Sequence, residues 1–271
     1  MKIAFVGGGN MAGALIGGLL QQGYAAAEIS VVDIDAAARE RLAARFGVST
    51  HAEVSPETAQ SEVILLAVKP QQLRMVAEGL QPVLRTQLLI SIAAGIRTAD
   101  LSRWLGGYAR IVRAMPNTPA LVLASVSALY AMPSVPAAAR QTAQSILAAV
   151  GSTLWMEREE MMDAVTAVSG SGPAYVFFFI EALEQAAREL GLDPADARRL
   201  SLDTFLGAAR LARDSNEDPA VLRARVTSKG GTTERALRCM EDSRLKQLIV
   251  EAVREAAERS RELGDELGQG G

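Results

Sequence analysis

Lys2-Ile3-Ala4-Phe5-Val6-Gly7-Gly8-Gly9-Asn10-Met11-Ala12-Gly13 begins as a short apolar run, turns on three glycines and opens into a helical pattern. An apolar strand followed by G-x-G-x-x-A is the turn by which a parallel α/β sheet holds the diphosphate of a dinucleotide. Gly7 permits the tight turn, Gly9 lets the backbone approach the phosphates, and the small Ala12 lets the helix lie close to the strand. With Gly8, Asn10 and Met11 in the turn, the segment Ala12 to Gln22 presents free N–H groups and a positive dipole end. A second run, Ile29-Ser30-Val31-Val32, ends in Asp33, where a carboxylate can accept hydrogen bonds from the adenosine ribose.

The same grammar continues outward. Apolar runs at 2–6, 29–33, 63–68, 88–92 and 110–114 lack strict alternation, as strands covered on both faces do. Helical patterns near 11–22, 36–45, 70–79 and 98–105 separate them, with Asp35 as a helix N-cap. Strand-like pieces at 126–130 and 152–155 flank a further helix around 136–149. The first 157 residues thus read as a Rossmann-like, doubly wound α/β sheet.

From residue 158 to 271 the chain reads as helix after helix. Pro173 suits the first turn of a long apolar helix that ends at Gly191, and Asp193-Pro194 and Asp218-Pro219 read as N-cap and N1 pairs. A short helix is expected near 234–240 and a last one over 242–264. The tail Gly268-Gln269-Gly270-Gly271 is expected to fray. The long helix carries apolar residues nearly all round (Tyr175 to Ile180, Leu183). Either a helical domain buries it internally or a second subunit covers it, and the second reading is favoured.

Composition excludes several classes. Hydrophobic residues make up 49% of the chain and the net charge is −3, with both signs interspersed. That leaves no basic stripe for nucleic acid and no polybasic segment for a membrane. No apolar run reaches the roughly 18 residues of a membrane span, and the N-terminus enters a strand with no room for a signal peptide. The single cysteine, Cys239, excludes an intramolecular disulfide and a multi-cysteine metal site, and is read as an inert helix residue. The sole histidine, His51, is read as a loop residue. The expectation is a soluble, cytoplasmic protein without a metal or a hydrolytic triad.

Four segments look chemical. Ala67-Val68-Lys69-Pro70 ends the third run, placing Lys69 where phosphate or ribose would lie. Ser91-Ile92-Ala93-Ala94-Gly95 ends the fourth with small residues, so that a flat ring can approach the backbone. Met115-Pro116-Asn117-Thr118-Pro119 ends the fifth with two rigid prolines, at the nicotinamide end of the cleft. Thr227-Ser228-Lys229-Gly230-Gly231-Thr232-Thr233 precedes a short helix and offers hydroxyls and N–H groups to an anion, suitably a carboxylate. Val168-Ser169-Gly170-Ser171-Gly172-Pro173-Ala174-Tyr175 breaks a helical stretch with two glycines, costly unless something must approach closely there.

These segments, in this order, resemble those of the pyrroline-5-carboxylate reductase family over essentially the whole chain. The V-S-G-S-G-P-A-Y and G-G-T-T blocks are far more specific than the glycine turn. The resemblance implies reduction of L-1-pyrroline-5-carboxylate to L-proline, the last step of proline biosynthesis, by NADPH or NADH. It implies a nucleotide domain and an intertwined helical domain forming a homodimer; a decamer occurs among members and is left open here. The cofactor would be held by Gly7–Ala12, Asp33, Ala67, Val68, Lys69, Pro70, Ala93, Ala94, Gly95 and Asn117. Thr233 would serve the imine nitrogen, Gly230, Gly231, Thr232 and Ser228 the carboxylate, and Glu159 matches an acidic position close to the site. Polarising an imine needs a proton or hydrogen bond at nitrogen, which one hydroxyl can supply.

Two positions depart from the family pattern. Lys229 stands where proline is usual. Asp33-Ile34-Asp35 carries carboxylates that repel a 2′-phosphate, a slight lean to NADH, although Arg39 and Arg41 are near enough to compensate. A β-hydroxyacid dehydrogenase shares the plan but needs a catalytic lysine on its helical domain. Only Lys229 and Lys246 follow residue 69, neither in that motif. A non-catalytic nucleotide-binding paralogue is the other alternative.

Overall fold

The computed structural model describes residues 1–269. Its first part alternates strand and helix: β1 (Ile3–Val6), α1 (Asn10–Gln21), β2 (Ile29–Val32), α2 (Ala36–Phe46), β3 (Ser49–His51), α3 (Pro56–Gln60), β4 (Val63–Leu66), α4 (Pro70–Leu80), β5 (Leu88–Ser91), α5 (Thr98–Trp104) and β6 (Ile111–Met115). β7 (Ser125–Ala131), α6 (Ala137–Ala148) and β8 (Gly151–Trp155) complete one eight-stranded sheet in the order β3-β2-β1-β4-β5-β6-β7-β8. All pairs are parallel except β6 with β7. The strand order reverses beside β1, between β2 and β4. In a parallel sheet that is where a crevice opens beyond the carboxyl ends.

Period-two geometry explains why these strands are apolar throughout. Ile3, Phe5, Leu65, Ile90 and Val112 face one core layer with Leu15, Ile16 and Leu19 of α1. Ala4, Val6, Ile64, Leu66 and Leu89 face the other, with Leu73 and Leu80 of α4 and Leu101 and Trp104 of α5.

Two expectations fail in this region. His51 lies on strand β3, and the Asp33 N–H donates to its carbonyl at 3.0 Å. Ser49-Thr50-His51 carries no apolar signal because it is an edge strand, so periodicity could not find it. α3 was also missed, its five residues being too few to show a helical period.

The helical part comprises α7 (Met161–Val165), a π-helical turn over Thr166–Gly170, α8 (Gly172–Glu189), α9 (Pro194–Asp214), α10 (Pro219–Arg225), α11 (Thr232–Asp242) and α12 (Leu245–Gln269). The caps act as read: Asp193 accepts from the N–H groups of Ala195 and Asp196, Asp218 from Ala220, and Asp35 from Ala37. The segment expected as a flexible glycine break is the π-turn. α12 continues to Gln269, beyond the expected end at 264; Gly268 and Gln269 are helical, and Gly270 and Gly271 lie outside the described residues.

By compactness the chain forms two units, one of Met1–Ser171 with the chain from Glu255 onward, the other Gly172–Arg254. The last strand ends at Trp155 and the next helix begins at Met161, whereas the first compact unit runs on to Ser171 and takes in the end of α12. Gly268 offers its carbonyl to Arg103 at 2.6 Å, Arg97 pairs with Asp265 at 2.7 Å, and Ser260 bonds Asp163 at 2.7 Å. In the second unit α8 has no buried residue, and Phe177 and Phe178 are 65% and 69% exposed. The helix is therefore not buried internally within its unit.

Candidate active site

The ends of β1, β2 and β4 open onto a cavity of about 370 Å³ lined by Gly7, Gly9, Asp33, Ala67, Val68 and Lys69, among others. Gly7 has φ +102°, and a Cβ there would lie 2.6 Å from the Ala67 carbonyl oxygen. Only glycine fits, because backbone blocks any side chain and the conformation is left-handed. The Gly7 N–H donates to Val32 O at 2.7 Å, tying the turn to β2. Gly9 faces open space, since a Cβ on it would meet no atom within 4 Å.

α1 starts without a side-chain cap and without an acidic residue in its first turn. Its leading N–H groups, contributed by Asn10, Met11 and Ala12, therefore have no side-chain acceptor at the cap, and a diphosphate supplies acceptors of the right charge. This is the observation by which the site fits a dinucleotide.

Asp33 is held rigidly. Its Oδ2 accepts from Gly8 N–H at 2.6 Å and its Oδ1 from Asp35 N–H at 2.8 Å, leaving one lone pair on each oxygen. Arg39 donates to the carbonyls of Asp33 (2.7 Å) and Ile34 (3.1 Å), and Arg41 to Gly8 O (3.2 Å). Both arginines thus brace the loops that carry the carboxylate and the glycine turn. Exposed Lys69, directly before Pro70 at the start of α4, lines the same cavity.

Sequence reasoning missed Glu53 and Val54, which reach the cavity from the loop after β3, and Met75 and Val76 on α4. The first pair was lost with the strand itself. Met75 gave a signal only in three dimensions: it is 68% exposed beside a cavity.

Beyond β5, Ala93 is buried and Ala94 half-buried. Gly95, expected beside a ring, is buried where α12 crosses: a Cβ there would lie 3.5 Å from Leu263 Cβ. A Cβ on Gly264 would in turn lie 2.8 Å from Gly95 O, so the two glycines let helix and loop touch.

Beyond β6, Asn117 is buried and bonded through both ends of its amide. Its Oδ1 accepts from Ser125 Oγ (3.0 Å) and Val126 N–H (3.1 Å), and its Nδ2 donates to Ser169 O (3.1 Å). Glu159, assigned to substrate from the resemblance, is likewise engaged by the protein. Its oxygens accept from Thr98 N–H (2.7 Å), Thr98 Oγ1 (2.5 Å) and the buried Arg113 guanidinium (3.1 Å). Thr98 opens α5, so Glu159 caps that helix from 61 residues away in sequence.

In the second unit, Gly231 caps α11 with no side-chain hydrogen bond, again leaving helix N–H groups open at Thr232 and Thr233. Gly230 N–H donates to Glu234 Oε2 at 2.7 Å and Gly231 N–H to Ser228 O at 3.0 Å, fixing the loop. Ser228, Lys229, Gly230 and Thr232 are exposed and Thr233 is half-buried. Cys239 is exposed on α11. Among the described residues no group of three or more His, Cys, Asp and Glu could hold a metal, and no helix is long and apolar enough to cross a membrane.

Comparison with known proteins agrees with this geometry. A family model described as pyrroline-5-carboxylate reductase dimerisation matches residues 159–263, and one described as NADP oxidoreductase, coenzyme F420-dependent, matches residues 2–95. A pyrroline-5-carboxylate reductase of Pseudomonas aeruginosa is 46% identical over 269 residues, covering 99% of this chain and 98% of the relative. Among solved structures, a pyrroline-5-carboxylate reductase from Coxiella burnetii superposes with a TM-score of 0.91 at 40% identity, covering 97% of this chain and 98% of the other. Pyrroline carboxylate reductase of Plasmodium falciparum, solved with NADP bound, gives 0.87 at 28% identity with the same coverage. With its glycine-turn crevice, its helical second half and relatives matched along nearly their full length, the chain belongs to the pyrroline-5-carboxylate reductase family.

Proposed function

We propose that this protein is an NAD(P)H-dependent oxidoreductase that reduces L-1-pyrroline-5-carboxylate to L-proline, the closing step of proline biosynthesis. The observation that carries the reading is the uncapped start of α1 beside the Gly7 turn, in a chain whose second half matches the reductase dimerisation domain. Bound there, a reduced nicotinamide supplies the hydride. The protein's own task is to orient, to exclude water and to polarise the imine.

In this reading Gly7, Gly8, Gly9, Asn10, Met11 and Ala12 hold the diphosphate, and Ala67, Val68, Lys69 and Pro70 border it. Met75 and Val76 offer an apolar wall to the purine, and Ala93 and Ala94 lie toward the nicotinamide. In the second unit the N–H groups at the start of α11, with Ser228, Gly230, Gly231 and Thr232, receive the substrate carboxylate. Thr233 supplies a hydroxyl to the ring nitrogen. Lys229 adds positive charge to that loop. Glu159 is a positioning residue that holds Arg113 and the start of α5.

Asp33 and Glu53 both line the cavity, so a ribose diol is received better than a 2′-phosphate, which favours NADH. The exposed α8 supports a homodimer through the helical domain, beginning near residue 158, and the single cysteine accords with the cytoplasm. The test is oxidation of NADH and of NADPH, each with and without pyrroline-5-carboxylate, with proline quantified. Substrate-dependent oxidation with stoichiometric proline is expected. Nucleotide binding without turnover would move the non-catalytic paralogue forward, and activity on 3-hydroxy acids instead would favour the β-hydroxyacid dehydrogenase.

A further inference from the structure

The π-turn over Thr166–Gly170 departs from the geometry of the helices around it. π-Turns are rare and concentrate at functional sites. Here a cause is visible in the sequence. In a regular α-helix the Ser169 carbonyl would accept from the N–H of residue 173, but residue 173 is proline and has none. Asn117, 52 residues earlier, supplies a donor instead through Nδ2 at 3.1 Å. An Asn at the N-cap of a turn normally caps it with its side chain, yet Asn117 makes no such bond at the turn Thr118–Val122. Its amide bonds Ser169, Ser125 and Val126 instead.

The neighbouring groups complete the lock. Ser171 N–H donates to Thr166 O at 2.8 Å, the five-residue bond of a π-turn, and the hydroxyls of Thr166 and Ser169 bond back to Met162 O and Val165 O. Gly170 leaves room for Met115, whose terminal carbon would lie 2.5 Å from a Cβ there. The two motifs Met115–Pro119 and Val168–Tyr175 thus meet through one buried amide.

We infer that Asn117 is a positioning residue: its Nδ2 replaces the helix donor that Pro173 lacks and so sets the π-turn at the end of β6, rather than binding the nucleotide with its side chain. The inference rests on the reductase reading for its kinetic consequence, while its structural consequence is readable in the protein without nucleotide. Asn117→Asp keeps the acceptor for Ser125 and Val126 and removes the donor, setting a carboxylate oxygen against Ser169 O. At pH 8 its kcat is expected to fall about 10²-fold, the scale of a 1 Å misplacement, with NADH Kd within about threefold of wild type. Burial and the facing Ser169 carbonyl push the introduced carboxyl above the usual carboxylate range, so the loss should shrink as pH is lowered and the carboxyl is protonated and donates again. In the nucleotide-free protein the Ser171 amide should exchange about tenfold faster with deuterium.

Pro173→Ala is the companion variant, chosen because alanine suits a helix. It offers Ser169 an ordinary donor, and should lower kcat and loosen the Ser171 amide without Asn117 being touched. A rise in NADH Kd above tenfold with unchanged kcat would make Asn117 a nucleotide ligand and overturn the inference. So would a lowered melting temperature alone, with Ser171 exchange and kcat as in wild type. Failure of the wild-type protein to turn over would sink the reductase reading and leave the exchange result standing.

Discussion

Glu159→Gln separates a substrate contact from a structural one. The Arg113 side chain is 5% exposed and that of Glu159 16%, with nitrogen and oxygen 3.1 Å apart. Removing one partner of a buried ion pair costs about 3–5 kcal/mol, because the other charge stays behind without compensation. The residual access of water to Glu159 places this pair at the lower end, about 3 kcal/mol. Gln keeps one carbonyl oxygen for the three donors that Thr98 and Arg113 now present, so no repair of comparable strength is available. At roughly 2–4 °C per kcal/mol for a chain of this size, the melting temperature should drop by about 6–12 °C. The assay is differential scanning calorimetry beside steady-state kinetics at 15 °C, where the variant remains folded. KM for the imine should stay within about twofold of wild type. A double variant, Arg113→Met with Glu159→Leu, should recover most of the lost stability, since replacing both charges leaves none unpaired. A melting temperature within 2 °C of wild type together with a tenfold higher imine KM would refute the structural role and return Glu159 to the substrate (about 1.4 kcal/mol of binding).

Three further outcomes follow from the same geometry. Asp33→Ser removes one of the carboxylates that line the cavity while leaving Arg39 and Arg41 in place, and should shift the ratio of kcat/KM toward NADPH by about tenfold; an unchanged ratio would show that Asp33 does not set preference. Phe178→Glu puts a charge on the exposed face of α8, and in a symmetric dimer it does so twice. At about 1.5–3 kcal/mol for each buried aromatic, the dimer Kd should rise by about 10² or more in sedimentation, and an unaltered Kd would locate the interface elsewhere. Asp193 is held below the usual carboxylate range by the N–H and carboxyl of Asp196 and by the N–H of Ala195. Because its pKa is lowered on folding, its contribution to the α9 cap is complete above about pH 4 and is lost as pH falls through the folded value. Carboxyl NMR titration checks the direction, and a midpoint above that of an unstructured Asp would contradict it.

The local signals in this chain were strong enough to specify most of the fold. Strand runs covered on both faces, the Gly7 turn, the Asp-Pro caps at 193 and 218, and the apolar run Tyr175–Ile180 of α8 act over one to seven residues, so they are visible in the chain itself. They placed the glycine turn and the strand ends that open onto the cavity lined by Asp33 and Lys69, and the passage from strands to helices after Trp155. The edge strand β3 left no apolar pattern because its Ser49-Thr50-His51 is polar and pairs with β2 along one side, and Glu53 and Val54 disappeared with it.

Tertiary structure decided the rest, because it depends on groups far apart in sequence. Glu159 reads as an acid close to the substrate until Thr98 and Arg113 arrive from other elements to claim its oxygens. Gly95 reads as room for a flat ring until α12 crosses it at Gly264. Asn117 reads as a polar group at the mouth of the cleft until folding brings it to the carbonyl that Pro173 leaves without its helical donor. Sequence carries the residue types suited to the chemistry; long-range packing chooses which of them face the cleft and which hold the others in place.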